Sequence, residues 1–405
     1  MDRDAFEQKA AQYLHTLCEQ IPDRRLGSEG NRQATAFFGE TLKDLGCRVT
    51  FQSFDCLDWV DEGASLIVAE HEFEVMSSPY SLECEITAPL VLAASVDELK
   101  ELQAEGSILL LLGEIAQEQL MPKKFPFYNP EHHKEIYALL ESKSPRAIIT
   151  ATSRNPELAG GMYPFPMIED GDFNIPSVYM KDVEGERLTA YMGQEISLSI
   201  STTRLPARGE NVLGRIGPDT AEKIVLCAHI DAKENTPGAL DNGTGVVMLL
   251  ILAELLVGYS RKYQIELLAF NGEDHYSAQG HKEYIKENED HFNKIMLAIN
   301  TDVAGFIEGN SAYSLYGCTP EVETIIREAM SGYKSLVEGE QWFQSDHSIF
   351  IQQGRPAMAI TSDRFMELST YITHTPKDNL NLVDYEKLID ISVALRGLIG
   401  ALSEG

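Results

Sequence analysis

Apolar residues recur at helical spacing from position 4 to 20, with Phe6, Ala10, Tyr13, Leu14 and Leu17 on one face. A polar loop at 22–30 follows, then a predicted helix over 31–45 that Gly46 ends, then a strand at 48–54. Between 58 and 203 the texture changes. Short β-like runs at 65–68, 90–93, 107–112, 147–150, 177–180 and 195–201 are separated by Gly, Pro and Ser, with helical patterns only near 96–104, 132–142 and 183–192. From 211 onward strands and helices alternate. Strands are predicted at 224–228, 264–270, 295–299 and 357–360, and helices at 245–257, 279–288, 321–331 and 385–402. The run at 224–228 is apolar throughout, as in a strand covered on both faces. The pattern predicts an α/β fold with a mostly parallel (mixed) sheet flanked by helices. That domain is discontinuous, 1–57 with 204–405, and a β-rich domain over 58–203 is inserted into it.

Composition narrows the classes. With 405 residues the chain can bury a large core without disulfide or metal staples. Its 33 basic and 63 acidic side chains give a formal net charge of −30, which argues against nucleic acid or an anionic membrane as partner, since both need a basic face. The six cysteines form no C-x-x-C pair and are too few for a disulfide scaffold. The longest apolar run, 246–252, stops at Glu254, so no membrane span is expected. The first residues show no basic segment followed by an apolar core, which leads us to expect a cytoplasmic protein; a secreted one trimmed of its leader would look the same.

The chemistry gathers where apolar strands end. The first strand runs into His229 and Asp231, and a Gly-Ala-Leu-Asp-Asn-Gly-x-Gly loop carries Asp241. The second strand runs into Glu273 and Asp274, the third into Asp302, and His374 stands in a Thr-His-Thr-Pro segment near the end. In open α/β sheets the ligand crevice lies beyond the carboxyl ends of the strands, so these groups should face one crevice. Two imidazoles with several carboxylates suit divalent ions, above all Zn²⁺, with Co²⁺ or Mn²⁺ as alternatives. A bridging carboxylate can hold two such ions about 3.5–4 Å apart. The adjacent acids Glu273 and Asp274 allow one to bind metal while the other serves as general base.

This ordered set resembles the M28 family of di-zinc peptidases, mostly aminopeptidases, with the likeness spanning about 211–405 and extending to the opening helices and the Arg24-x-x-Gly27-Ser28 loop. The resemblance implies a zinc-exopeptidase-like fold and a peptide substrate. It implies that Asp241 bridges two metals, that His229 and Asp302 complete one site, and that Asp274 and His374 complete the other. Glu273 would be the general base. Asp231 would accept a hydrogen bond from His229 and fix its tautomer, Asp378 would do the same for His374, and the Asp241–Asn242 peptide would be cis. Asp274 stands where many members have Glu, and Thr373 where several have the Tyr that stabilises the oxyanion; Tyr371 lies two residues earlier. The 345–350 segment resembles a family loop near the site, which gives His347 at most a supporting role. The middle domain resembles a protease-associated domain at 106–110, 146–150 and 175–178.

Singly, these residues have ordinary readings: His229 a satisfied structural histidine, Glu273-Asp274 a solvated turn, Asp302 a cap. Together and in order they outweigh them. Gly243-x-Gly245, with no G-K-[ST] after it, reads as close packing at a helix start rather than a phosphate loop. His71, His132, His133, His275, His281 and His291 read as surface or helix-face residues. The leading function is thus a metal-dependent aminopeptidase. The rivals are a carboxypeptidase, dipeptidase or amide hydrolase of the same fold, a single-zinc acyltransferase of the glutaminyl-cyclase type, and a non-catalytic peptide-binding module. Homo-oligomers occur in the family.

Overall fold

The computed structural model describes residues 2–21, 23–127, 129–154, 162–219 and 222–404; Pro22 of the predicted loop lies outside them. Backbone contacts divide the chain into two units, Met1–Cys56 with Arg208–Gly405, and Leu57–Ala207.

The first unit is built on a mixed sheet. Its strands lie in the order Leu336–Glu338, Ser311–Tyr316, Ala357–Ser362, Ile295–Thr301, Lys223–His229, Gln264–Phe270 and the final part of Glu195–Ile216. The inner pairings are parallel, and antiparallel pairing occurs where Ser311–Tyr316 meets Ala357–Ser362 and where 212–216 meets 265–269. Register decides where the functional groups emerge. Phe270 lies opposite His229, Asn300 opposite Cys227, and Thr301 opposite Ile360, so the polar residues after each strand start at one level.

Helices Arg3–His15, Glu29–Asp44, Thr244–Leu255, Pro320–Met330 and Tyr385–Leu402 supply the flanking layers. Their starts follow from side-chain caps: Ser28 accepts the Asn31 N–H, Thr319 that of Val322, and Asp384 that of Lys387. Helix Thr244–Leu255 is apolar all round because it is covered all round, by Tyr385–Leu402 and by the sheet. Gly245 lets it start there: a Cβ would lie 2.5 Å from the Thr301 carbonyl oxygen and 2.9 Å from Ala228 Cβ. That meets the packing expectation for this glycine.

The pattern missed several elements. Ser311–Tyr316 carries four hydroxyl groups that hide its strand character, yet the whole strand is buried and the Ser314 and Tyr316 hydroxyls bond one another at 2.9 Å. Helices His347–Gln352 and Phe365–Tyr371 are too short to show a period. The first helix is regular only over Arg3–His15 and continues to Gln20 as a wider turn.

The second unit is β-rich, with parallel pairing along Cys84–Ala93, Ile108–Leu111, Ala147–Thr152 and Ser177–Lys181. Residues 195–200 pair antiparallel with 84–89, and Leu66–Val68 forms a hairpin with His71–Phe73. One face buries Leu90, Ile108, Leu110, Ile149, Val178 and Leu198; the other buries Leu109, Leu111 and Ile148 against Leu99, Ile136 and Leu140 of helices Val96–Glu101 and Glu131–Lys143. His133, expected at the surface, is buried there and accepts the Met121 N–H on Nδ1 at 2.9 Å. Among the described residues no helix is long and apolar enough to cross a membrane.

Candidate metal centre

Five predicted side chains converge beyond the strand ends of the first unit. His229 Nε2 lies 3.2 Å from Asp241 Oδ1 and 3.4 Å from Asp302 Oδ1. His374 Nε2 lies 3.2 Å from the other oxygen of Asp241, Oδ2, and 2.9 Å from Asp274 Oδ1. Asp241 therefore faces a different imidazole with each carboxylate oxygen, and each imidazole has a second acid of its own. The Asp241–Asn242 peptide is cis, as the resemblance implies. Asn242 holds the turn by donating to the Thr301 carbonyl at 2.8 Å and accepting the Gly245 N–H at 3.1 Å.

The donors fit a cation better than they fit each other. His229 Nε2, Asp302 Oδ1 and Asp274 Oδ2 are buried with no hydrogen-bond partner, although oxygens lie within 3.4 Å of the imidazole nitrogen. Buried polar atoms are normally satisfied, and atoms that crowd together without aligning are aimed at a shared point between them. Imidazole nitrogens and carboxylate oxygens are the donors zinc takes.

The electrostatics agree. Burial would lower His229, but Asp302 and Asp241 outweigh it and hold the imidazole well above its usual range. Burial would raise Asp241, but His229 and His374 hold it below the usual carboxylate range. Burial, opposed by His229 and reinforced by Asp241, pushes Asp302 up to about 6. Burial and the charges of Asp274, Asp302 and Asp346, against His229, push Glu273 well above the ordinary carboxyl range. Packed acids of this kind gain from a divalent charge among them.

Two supporting roles differ from expectation. Asp231 does not take the His229 proton on its carboxylate: Oδ1 is 3.8 Å from Nδ1, and the Asp231 backbone carbonyl is nearer at 3.2 Å. Its carboxylate instead accepts the backbone N–H groups of Gly272, Glu273 and Asp274 at 2.7, 3.2 and 3.0 Å. Asp231 thus shapes the turn that presents Glu273 and Asp274, a role dictated by the local excess of amide donors after the strand. Likewise, Asp378 accepts the N–H groups of Leu240 and Asp241 rather than bonding His374.

Asn300 and Ser345, neither of them a predicted site residue by type, also reach the site. Ser345 donates to Asp302 Oδ2 at 2.7 Å and accepts from Asn300 Nδ2 at 2.9 Å. Asn300 also reaches His347 Nδ1 at 3.3 Å, and His347 Nε2 donates to the Trp342 carbonyl at 2.8 Å. This chain satisfies a neutral His347, and burial pushes that group down to about 4. His347 is thus linked to Asp302 only through Asn300 and Ser345. His281, expected on a helix face, is buried with Nε2 2.6 Å from Asp346 Oδ1 and its ring stacked on Phe270, and His275 is buried as well.

Residues 211–399 match the profile of peptidase family M28. Over this segment the chain is similar to family M28. Over 395 residues the chain is 23% identical to aminopeptidase YwaD of Bacillus subtilis, covering 93% of this chain and 80% of that protein. Among solved structures, it is similar to an aminopeptidase from Aneurinibacillus sp. strain AM-1, with a TM-score of 0.76 at 20% identity, covering 97% of this chain and 93% of that one. It is also similar to BSAP, a zinc aminopeptidase from Bacillus subtilis, with a TM-score of 0.73 at 22% identity over 98% of this chain and 94% of that one. The M28 segment contains Asp231 and all five converging side chains.

Proposed function

We propose that this protein is a zinc-dependent aminopeptidase that holds two ions, bridged by Asp241. The observation that carries the reading is that Asp241 presents one oxygen to His229, beside Asp302, and the other to His374, beside Asp274. His229 and Asp302 would hold one ion, and Asp274 and His374 the other. The family match and the aminopeptidase relatives support the reaction class. When bound, the ions polarise the scissile carbonyl and acidify a water.

The chain's own groups do the rest. Glu273 takes a proton from the attacking water and delivers it to the departing amine, which suits a carboxyl whose buried setting favours holding a proton. Asp231 fixes the backbone beneath Glu273, so the base keeps its place during the transfer. A single-zinc acyltransferase would leave half of this ligand set without a purpose.

Aminoacyl chromogenic substrates, assayed beside the same compounds with the amine acetylated, test this directly. The free-amine series should be hydrolysed and the blocked series should not. Equal hydrolysis of both would identify a general amide hydrolase, and cleavage only of peptides with a free carboxyl terminus would identify a carboxypeptidase.

A further inference from the structure

The backbone that leads into Asp241 is gripped by two buried side chains of opposite charge, one from each end of the chain. Arg24 donates to the carbonyls of Ile230 (Nε, 3.0 Å), Pro237 (Nη1, 2.8 Å) and Gly238 (Nη2, 2.9 Å), and to that of Leu17 (Nη1, 2.8 Å). Asp378 accepts the next two amides, Leu240 on Oδ1 at 2.8 Å and Asp241 on Oδ2 at 3.0 Å, while its own carbonyl accepts Ala239 N–H at 3.3 Å. The carbonyls of 237 and 238 thus point at a cation, and the amides of 240 and 241 point at an anion. The fit leaves no slack. Gly238 has φ +58, and a Cβ there would lie 2.7 Å from Arg24 Nη2 and 2.6 Å from the Asp241 carbonyl oxygen. Each Asp378 carboxylate oxygen already serves a backbone amide, so this acid does not compete with Asp241 as a ligand.

We propose that Arg24 and Asp378 are positioning residues that set the Asp241 carboxylate in its two-sided orientation before any ion arrives. The inference rests on reading Asp241 as a metal ligand. An untethered loop would have to be ordered by the ions themselves, and that cost would be subtracted from their affinity. Groups that orient metal ligands typically change metal affinity 10–100-fold when removed.

Asp378→Asn preserves shape but offers one acceptor oxygen in place of two, and turns an NH₂ toward the other backbone N–H. Asp378→Glu retains both acceptors one methylene further out. The test uses the full chain, stripped of metal, with zinc affinity read by competition against a chromophoric chelator. Hydrogen exchange over 238–244 is followed in parallel without metal. Asp378→Asn should bind zinc about 10–100-fold more weakly and exchange the 240 and 241 amides faster. Asp378→Glu should recover part of the affinity, and saturating zinc should restore most of the turnover of either variant. Zinc affinity within about threefold of the parent, alongside faster exchange at 240 and 241, would overturn the inference. Should Asp378→Asn fail to fold, the same two readings on Asp378→Glu decide it. Zinc affinity of the parent separates the two levels: a parent that binds no zinc defeats the reading of Asp241 as a ligand, whereas a parent that binds zinc with an affinity the variants share defeats only the positioning role.

Discussion

Glu273→Gln should lower kcat by about 10²–10⁴-fold while leaving zinc content unchanged, the range expected for loss of a general base. The argument starts at the strand end. Asp231 collects the amides of residues 272–274 and so presents two consecutive acids in different directions. Asp274 meets His374 at 2.9 Å, whereas Glu273 is free of the five converging donors and is held in the field of His229 and three acids. Glutamine keeps size and polarity but cannot accept a proton. Metal content and KM should therefore stay close to those of the parent, and the loss should fall on kcat. The measurement is steady-state kinetics with metal analysis on the same sample. Full activity would place Glu273 outside the chemistry, and loss of zinc together with activity would place it among the ligands.

Asp241→Asn should abolish hydrolysis through a different route, by emptying the centre. Among the described residues, Asp241 alone presents one carboxylate oxygen to each of the two imidazoles, at 3.2 Å each. Asparagine removes its charge and replaces one acceptor oxygen with an NH₂ that repels a cation. Zinc affinity should fall by more than the ~100-fold upper range seen for groups that merely orient ligands. The fold should persist, since the Asp241 backbone N–H remains bonded to Asp378 and Asn242 still holds the turn. Zinc retained after dialysis, compared with the parent by elemental analysis, gives the answer. A variant that keeps its zinc and its turnover would remove Asp241 from the centre.

The sequence made the five converging side chains legible and left their supports hidden, and the reason is physical. His229, Glu273-Asp274 and Asp302 each follow an apolar run, and parallel register brings such positions to one level. Asp231 and Asp378 were legible as site residues but not in their partners. The amides of 240, 241 and 272–274 need acceptors that strand pairing does not provide, and which acid supplies them depends on the path of the loops rather than on spacing. Ser345 lies in the 345–350 segment but, like Asn300, had no role legible from its residue type, because a serine in a loop and an asparagine at a strand end are ordinary; only their bonds to Asp302 and His347 give them meaning. The burial of His133 and His281 was not legible because burial of a polar ring depends on partners outside its own element, the 121 amide and Asp346.

Anomalous scattering at the zinc edge, from crystals grown with zinc, tests the central claim most directly. Two peaks should flank Asp241, one about 2.0–2.2 Å from donor atoms of His229 and Asp302, the other at the same distance from Asp274 and His374. A single peak would remove the bridging role of Asp241, and zinc bound elsewhere with these five side chains empty would contradict the account outright.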